Sequence, residues 1–190
     1  MEIVKRINEL QIEAYSKEEF KNNLEELNGY MTDIIYSYDM DSNVDYQSAL
    51  DDLQDKIQDL FAYDYLDDKL YIAKNLATKK IVSFALVTRE NSSNLEPWHV
   101  EMIYTNKDFA GLGYGENLFV GVCEHLQKNG YKYINSVIAD DNYPSINLHN
   151  SFAKKHNVEL FKTDLPGFRT SYEFDISKIN QKTEEEEMEM

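Results

Sequence analysis

The stretch Asp108-Phe-Ala-Gly-Leu-Gly-Tyr-Gly-Glu-Asn-Leu-Phe119 holds Gly111, Gly113 and Gly115 at alternate positions, in a chain with only seven glycines. Such crowding marks a backbone requirement: a positive φ, or an approach that a Cβ would block. Upstream, Trp98 to Thr105 reads as a strand. Downstream, Glu116 to Lys128 reads as a helix with Leu118, Phe119, Val122, Cys123 and Leu126 on one face. Strand, glycine loop and helix together aim backbone N–H groups and a helix N-terminus at a phosphate. The dinucleotide fingerprint does not fit, because the spacing is G-x-G-x-G and no second βαβ unit follows. The Walker loop does not fit either, since no Lys-Ser or Lys-Thr follows the glycines.

Working outward, the register Ala110-Gly111-Leu112-Gly113-Tyr114-Gly115 resembles motif A of the GNAT superfamily of N-acetyltransferases. The segment Asn142-Tyr-Pro-Ser145-Ile-Asn-Leu148-His149 resembles that family's motif B. The motif-level resemblance covers about residues 69 to 176; before that it is one of layout. It implies an α/β fold with a mixed, mostly antiparallel central sheet and helices on both faces. It also implies transfer of an acetyl group from acetyl-CoA, as co-substrate, to a primary amine.

The remaining elements follow in order. Met1 to Glu13 reads as a first strand with its turn. Ser16 and Glu19 form a capping box, opening a helix with Phe20, Leu24, Leu27, Met31, Ile34 and Ile35 inward. Asp39 to Asp45 is a polar loop. A second helix starts at Asp45 or Ser48 and turns Leu50, Leu53, Ile57, Leu60 and Phe61 inward. Asp67 to Lys69 reads as a turn, Leu70 to Lys74 as a strand, Asn75 to Lys79 as a hairpin connection and Lys80 to Thr88 as its partner. Asn91 to Asn94 is a loop. After the glycine-loop helix, Gly130 closes the C-terminus. Tyr133 to Ala139 is a buried strand, Pro144 starts a helix, and Val158 to Phe161 and Thr170 to Ile176 are the last strands. A single domain is expected over residues 1–178. Residues 179–190 have too little apolar surface to order themselves and read as a disordered acidic tail.

Composition bounds the partners. Net charge is −16, and the segment from Glu18 to Asp68 holds 15 acidic residues against two basic ones, Lys21 and Lys56. Nucleic acid is thereby disfavoured, since phosphate binding needs clustered Lys and Arg. No apolar run is long enough to span a membrane, and the N-terminus has no signal-peptide core. The single Cys123 excludes an intramolecular disulfide and suits a reducing cytoplasm, so a cytoplasmic protein is expected. The four histidines lack zinc-site spacing, and no metal is expected. A homodimer is one assembly this reading allows.

An amine attacks a thioester only when neutral, yet a lysine-like amine has a pKa near ~10.4, so a base must take its proton. The resemblance points to Glu101, which interrupts the apolar run Val100 to Tyr104; the plainer alternative is a salt-bridged glutamate. It points to His149 as the acid that protonates the thiolate, standing where the family usually has tyrosine. The alternative there is a helix-face histidine without that role. It implies that the backbone of Ile103, Tyr104 and Thr105 pairs with the pantetheine arm. It also implies that Gly111, Leu112, Gly113, Tyr114, Gly115 and Glu116 hold the pyrophosphate, with Asn142 contacting the cofactor or simply capping its helix. Two departures weigh against tight binding: Ala110 replaces the usual Arg or Gln, and Glu116 adds a carboxylate. The acidic helices lie where the family builds its acceptor site, and Asp33, Tyr36 and Tyr38 suit a cation there. A polyamine, an aminoglycoside-like amine or a basic peptide fits that chemistry. The rival reading is a non-catalytic acidic module that binds a basic partner.

Overall fold

The computed structural model describes residues 1–38, 45–63, 66–90 and 96–179. The loop expected at Asp39 to Asp45 therefore falls largely outside the described residues, as do that at Asn91 to Asn94 and the tail from 180 onward. Eight strands form one sheet: β1 (Glu2–Ile7), β2 (Leu10–Ser16), β3 (Leu66–Asn75), β4 (Ile81–Glu90), β5 (Trp98–Thr105), β6 (Tyr133–Ala139), β7 (Glu159–Leu165) and β8 (Arg169–Asp175). Their order is β1-β2-β3-β4-β5-β6-β8-β7. Only β5 and β6 run parallel; every other neighbouring pair is antiparallel.

Helices cover both faces. On one side lie α4 (Tyr114–Lys128) and α5 (Tyr143–His156). Leu118, Phe119, Val122, Cys123 and Leu126 of α4 are buried there against Ile12, Tyr71, Ala85, Val100 and Phe174. Each such large apolar side chain contributes about 1.5–3 kcal/mol relative to exposure. On the other side lie α1 (Lys17–Asn22), α2 (Leu24–Tyr36) and α3 (Tyr46–Ala62). They bury Phe20, Leu27, Met31, Ile34, Ile35, Leu53 and Ile57 over Leu70, Ile72, Phe84, Leu86 and Met102.

Three expectations are corrected. The single N-terminal strand is a hairpin, β1 paired with β2, which turns at Asn8 with φ 51°; asparagine tolerates that left-handed conformation. The first acidic helix is two, because Asn23 turns its side-chain amide back to the Glu19 carbonyl at 2.7 Å and ends α1. Asp67 to Lys69 is not a turn but part of β3. Its acids have partners across the sheet and on α1: Asp67 meets Arg89 at 3.3 Å and Asp68 meets Lys17 at 3.5 Å. Ile179 is buried against the α4-side core.

Candidate active site

The site grows from two irregularities of β5. The first is its parting from β6. Pairing between them covers only Trp98 with Ile134 and His99 with Asn135, while β6 goes on pairing with β8 as far as Ala139. Val100 to Thr105 thus border a cleft about 20 Å long at ~3.3 Å per residue. Asn106 N donates to Val82 O at 2.8 Å. With the β4–β5 register, this turns the backbone of Tyr104 toward β4 and leaves Ile103 and Thr105 facing the cleft.

The second irregularity is a bulge. Leu86 pairs with Met102 but Val87 pairs with Val100, so Glu101 is an extra residue. Its insertion swaps the faces: Val100 packs on the α4 side, whereas Met102 packs on the α2–α3 side. The Glu101 carboxylate is thereby aimed at α3, where Lys56 Nζ donates to Oε2 at 2.7 Å. Thr88 Oγ1 donates to Oε1 at 2.9 Å. Burial pushes this carboxyl up, but the Lys56 hydrogen bond, the His99 and Lys56 charges and the Thr88 hydroxyl outweigh it and hold it below the ordinary value. Nearby Asp68, 2% exposed, is pushed up to about 6 by burial, against the opposing pull of Lys17.

Beyond β5 the chain makes a short 3₁₀ turn, Lys107–Phe109, and enters the glycine loop. Gly111 and Gly113 have φ of 77° and 80°, and a Cβ added at either would meet nothing within 4 Å. Open space in front of those two residues forms a cradle that side chains would fill. Gly113 is the N-cap of α4 and brings no side-chain cap, so the first-turn amides remain for another acceptor. Gly115 is needed for packing instead: a Cβ there would lie 2.9 Å from Thr105 Oγ1. Leu112 is exposed, and the Tyr114 ring stacks on Phe109 at 5.8 Å. The Glu116 carboxylate turns to α5, where Lys155 meets it at 2.8 Å and Ser151 at 3.2 Å. Its charge is therefore partly offset, which removes much of the objection raised by its position.

Asn142 caps α5, accepting from Ser145 N at 3.2 Å. Seven residues on, His149 does not face the cleft as a donor. It is 1% exposed and packs among Phe119, Tyr172 and Phe174. Its Nδ1 lies 2.8 Å from the Ser145 carbonyl and its Nε2 lies 2.6 Å from Ser136 Oγ. A carbonyl only accepts, so Nδ1 carries the hydrogen and the serine hydroxyl donates to Nε2. Burial lowers the imidazole to about 4. At neutral pH it is uncharged with both nitrogens engaged, so the expectation of a thiolate-protonating imidazolium is corrected to a buried structural histidine.

Of the acceptor-side residues, Tyr38 reaches the cleft, its hydroxyl donating to the Thr105 carbonyl at 2.6 Å. Lys107 N donates to Ser37 Oγ at 2.9 Å, tying the end of α2 to the same corner. Tyr36 is half exposed with its ring 6.1 Å from that of Tyr46, and Asp33 is exposed on α2. Burial, followed by the charges of Asp52 and Tyr38, raises the Tyr104 phenol, which places this ring at the α2–α3 side.

Residues 32–153 match the model of the acetyltransferase (GNAT) family, more than half of the chain. The chain belongs to the GNAT family. This GNAT protein is an acyl-CoA-dependent N-acyltransferase. Its fold is shared with RimL, the ribosomal L7/L12 alpha-N-protein acetyltransferase solved with coenzyme A, at TM-score 0.60 and 13% identity over 93% of this chain and 99% of that one. It is shared with a mutant of the spermidine N-acetyltransferase SpeG from Vibrio cholerae, at TM-score 0.55 and 9% identity over 92% and 98%. A domain from Methanocaldococcus jannaschii aligns at TM-score 0.56 and 17% identity over 87% and 99%. No curated protein matches the sequence. Among the described residues no His, Cys, Asp or Glu cluster is arranged for a metal, and no helix of this GNAT protein is long and apolar enough to cross a membrane.

The glycine loop and Glu101 were approached from sequence, but the bulge that aims Glu101, and its partners Lys56 and Thr88, were missed. The only signal for Lys56 was its rarity, as one of two basic residues between Glu18 and Asp68.

Proposed function

We propose that this enzyme transfers an acetyl group from acetyl-CoA to a primary amine on a cationic small molecule or basic peptide. The observation that carries the reading is the alignment of three features along β5. They are the open cradle at Gly111 and Gly113, the edge of β5 at Ile103 and Thr105 that β6 does not pair, and the bulged Glu101 where β5 leaves β6. Amides of the loop and of the first turn of α4 suit a diphosphate, and Leu112, Tyr114 and Glu116 line the same entrance. The Ile103 backbone and the Thr105 N–H suit the amides of a pantetheine arm, like an added strand, while the Thr105 carbonyl is held by Tyr38. Acetyl-CoA supplies the acyl group as a thioester. Glu101 is the base that takes a proton from the acceptor amine, and Thr88 orients its carboxylate. Asn142 at the α5 N-cap borders the cofactor side.

The acceptor class follows from charge. Glu25, Glu26, Asp33, Asp51, Asp52, Asp55 and Asp59 are all exposed on α2 and α3, on the side of the sheet that Glu101 faces. Such a field concentrates cations near the cleft. Tyr36 and Tyr38 add aromatic faces. The structural likeness to a spermidine N-acetyltransferase is compatible with such an acceptor.

The test is a thiol-release screen with acetyl-CoA against spermidine, an aminoglycoside and a lysine-bearing peptide. Turnover with at least one is expected, falling about 10²- to 10⁴-fold in Glu101→Gln, as loss of a general base does. Absence of coenzyme A binding by calorimetry would overturn the reading and leave an acidic interaction module.

A further inference from the structure

Lys56 sits where an acceptor amine belongs. Its Nζ is 2.7 Å from the Glu101 carboxylate, inside the range a base needs to abstract a proton. Glu101 lies four residues inward from Thr105, about 13 Å along β5, at the point where β5 and β6 part. An arm laid from the glycine loop along the open edge of β5 leads its acyl end to that bulge. Lys56 comes from α3, on the side to which the bulge turns Glu101.

Stability does not account for the pair. Lys56 is 41% exposed at its side chain against 17% for Glu101, and an ion pair with its cation in solvent contributes little. Charge on α3 alone does not account for it either, because Asp51, Asp52, Asp55 and Asp59 surround Lys56 in sequence and offer other partners. The lysine reaches past them to the one carboxylate set in the bulge.

From this geometry we infer that Lys56 is itself an acetyl acceptor, modified within its own molecule by the same site. This rests on the proposed transferase reading. In the step, Glu101 takes a proton from the Lys56 ammonium and the freed amine attacks the thioester carbonyl. A nitrogen–carbon bond forms, the carbon–sulfur bond breaks, and the second proton shed by the nitrogen passes through water to the departing thiolate, giving the thiol, while Glu101 returns its proton to solvent. The product, acetyl-Lys56, carries no charge and releases Glu101 for an external amine. Lys56 is in this sense an internal stand-in for the substrate.

The experiment incubates the full chain with acetyl-CoA alone and follows intact mass, then maps acetylated lysines by peptide mass spectrometry. Lys56 is expected to be acetylated first, at a rate independent of protein concentration. Lys56→Arg should remove that modification, and Glu101→Gln should slow it about 100-fold or more. Both variants are checked for coenzyme A binding and for a cooperative melt, so that misfolding is recognised. Equal acetylation in Glu101→Gln, or labelling spread evenly over the lysines, means simple chemical acylation and overturns the inference. Spermidine turnover with Lys56 left unmodified also overturns it, while the transferase reading stands. Failure of the wild type to bind coenzyme A at all sinks both.

Discussion

A buried neutral His149 makes a quantitative demand on stability. Folded, its imidazole titrates at about 4; unfolded, near ~6.5. Between those values the unfolded chain binds more protons than the folded one, so stability rises with pH. The contribution is fully present above about 6.5 and is lost as pH falls toward 4. At about pH 5.5 the unfolded histidine is roughly tenfold more stabilised by protonation than the folded one, which costs about 1.4 kcal/mol relative to about pH 7.5. That figure hardly depends on the folded value once it lies well below 5.5. The perturbation is His149→Phe combined with Ser136→Ala, which keeps an aromatic ring among Phe119, Tyr172 and Phe174 and orphans no hydroxyl. Urea melts of wild type and double variant at the two pH values give the comparison. The wild type should lose about 1.4 kcal/mol more than the variant on acidification. Equal losses would mean that His149 protonates freely in the folded state, and the role of proton donor would return to it.

Two further outcomes are expected. Gly113→Val puts a Cβ into the open cradle at φ 80°, costs about 1–3 kcal/mol of backbone strain, and should abolish coenzyme A binding in calorimetry while the melt stays cooperative; unchanged affinity would remove the loop from the cofactor site. For a cationic acceptor, kcat/KM should fall steeply with added salt, since screening acts over about 8 Å at physiological strength, and Asp51→Asn with Asp52→Asn and Asp55→Asn should flatten that slope. A salt-independent kcat/KM would detach the acidic helices from the acceptor.

Much of the frame was legible because its signals are local. Gly111 and Gly113 announce the loop, Ser16 and Glu19 the capping box, and Asn142 with Pro144 the start of α5. What stayed hidden depends on pairing between distant elements. Asn8 makes a hairpin only because β2 finds β3 as a neighbour. Asp68 looks like a turn residue until Lys17 meets it across the fold. Burial of His149 depends on Ser136 and the aromatic rings of α4 and β8, which its motif position alone does not reveal. Lys56 and Glu101 meet only once α3 is laid over the sheet.

The bulge at Glu101 also fixes how β5 can be inherited. Trp98 and Val100 serve one core and Met102 the other, so the strand is read in two frames joined at a single residue. Point substitutions on either side leave both frames intact. Deleting Glu101 would restore plain alternation with Val100 and Ile103 still toward α4 and Met102 and Tyr104 still toward α2 and α3, so the cores would keep their residues and only the carboxylate would go. The extra residue of β5 is therefore one that neither core requires, a length kept for the carboxylate it carries.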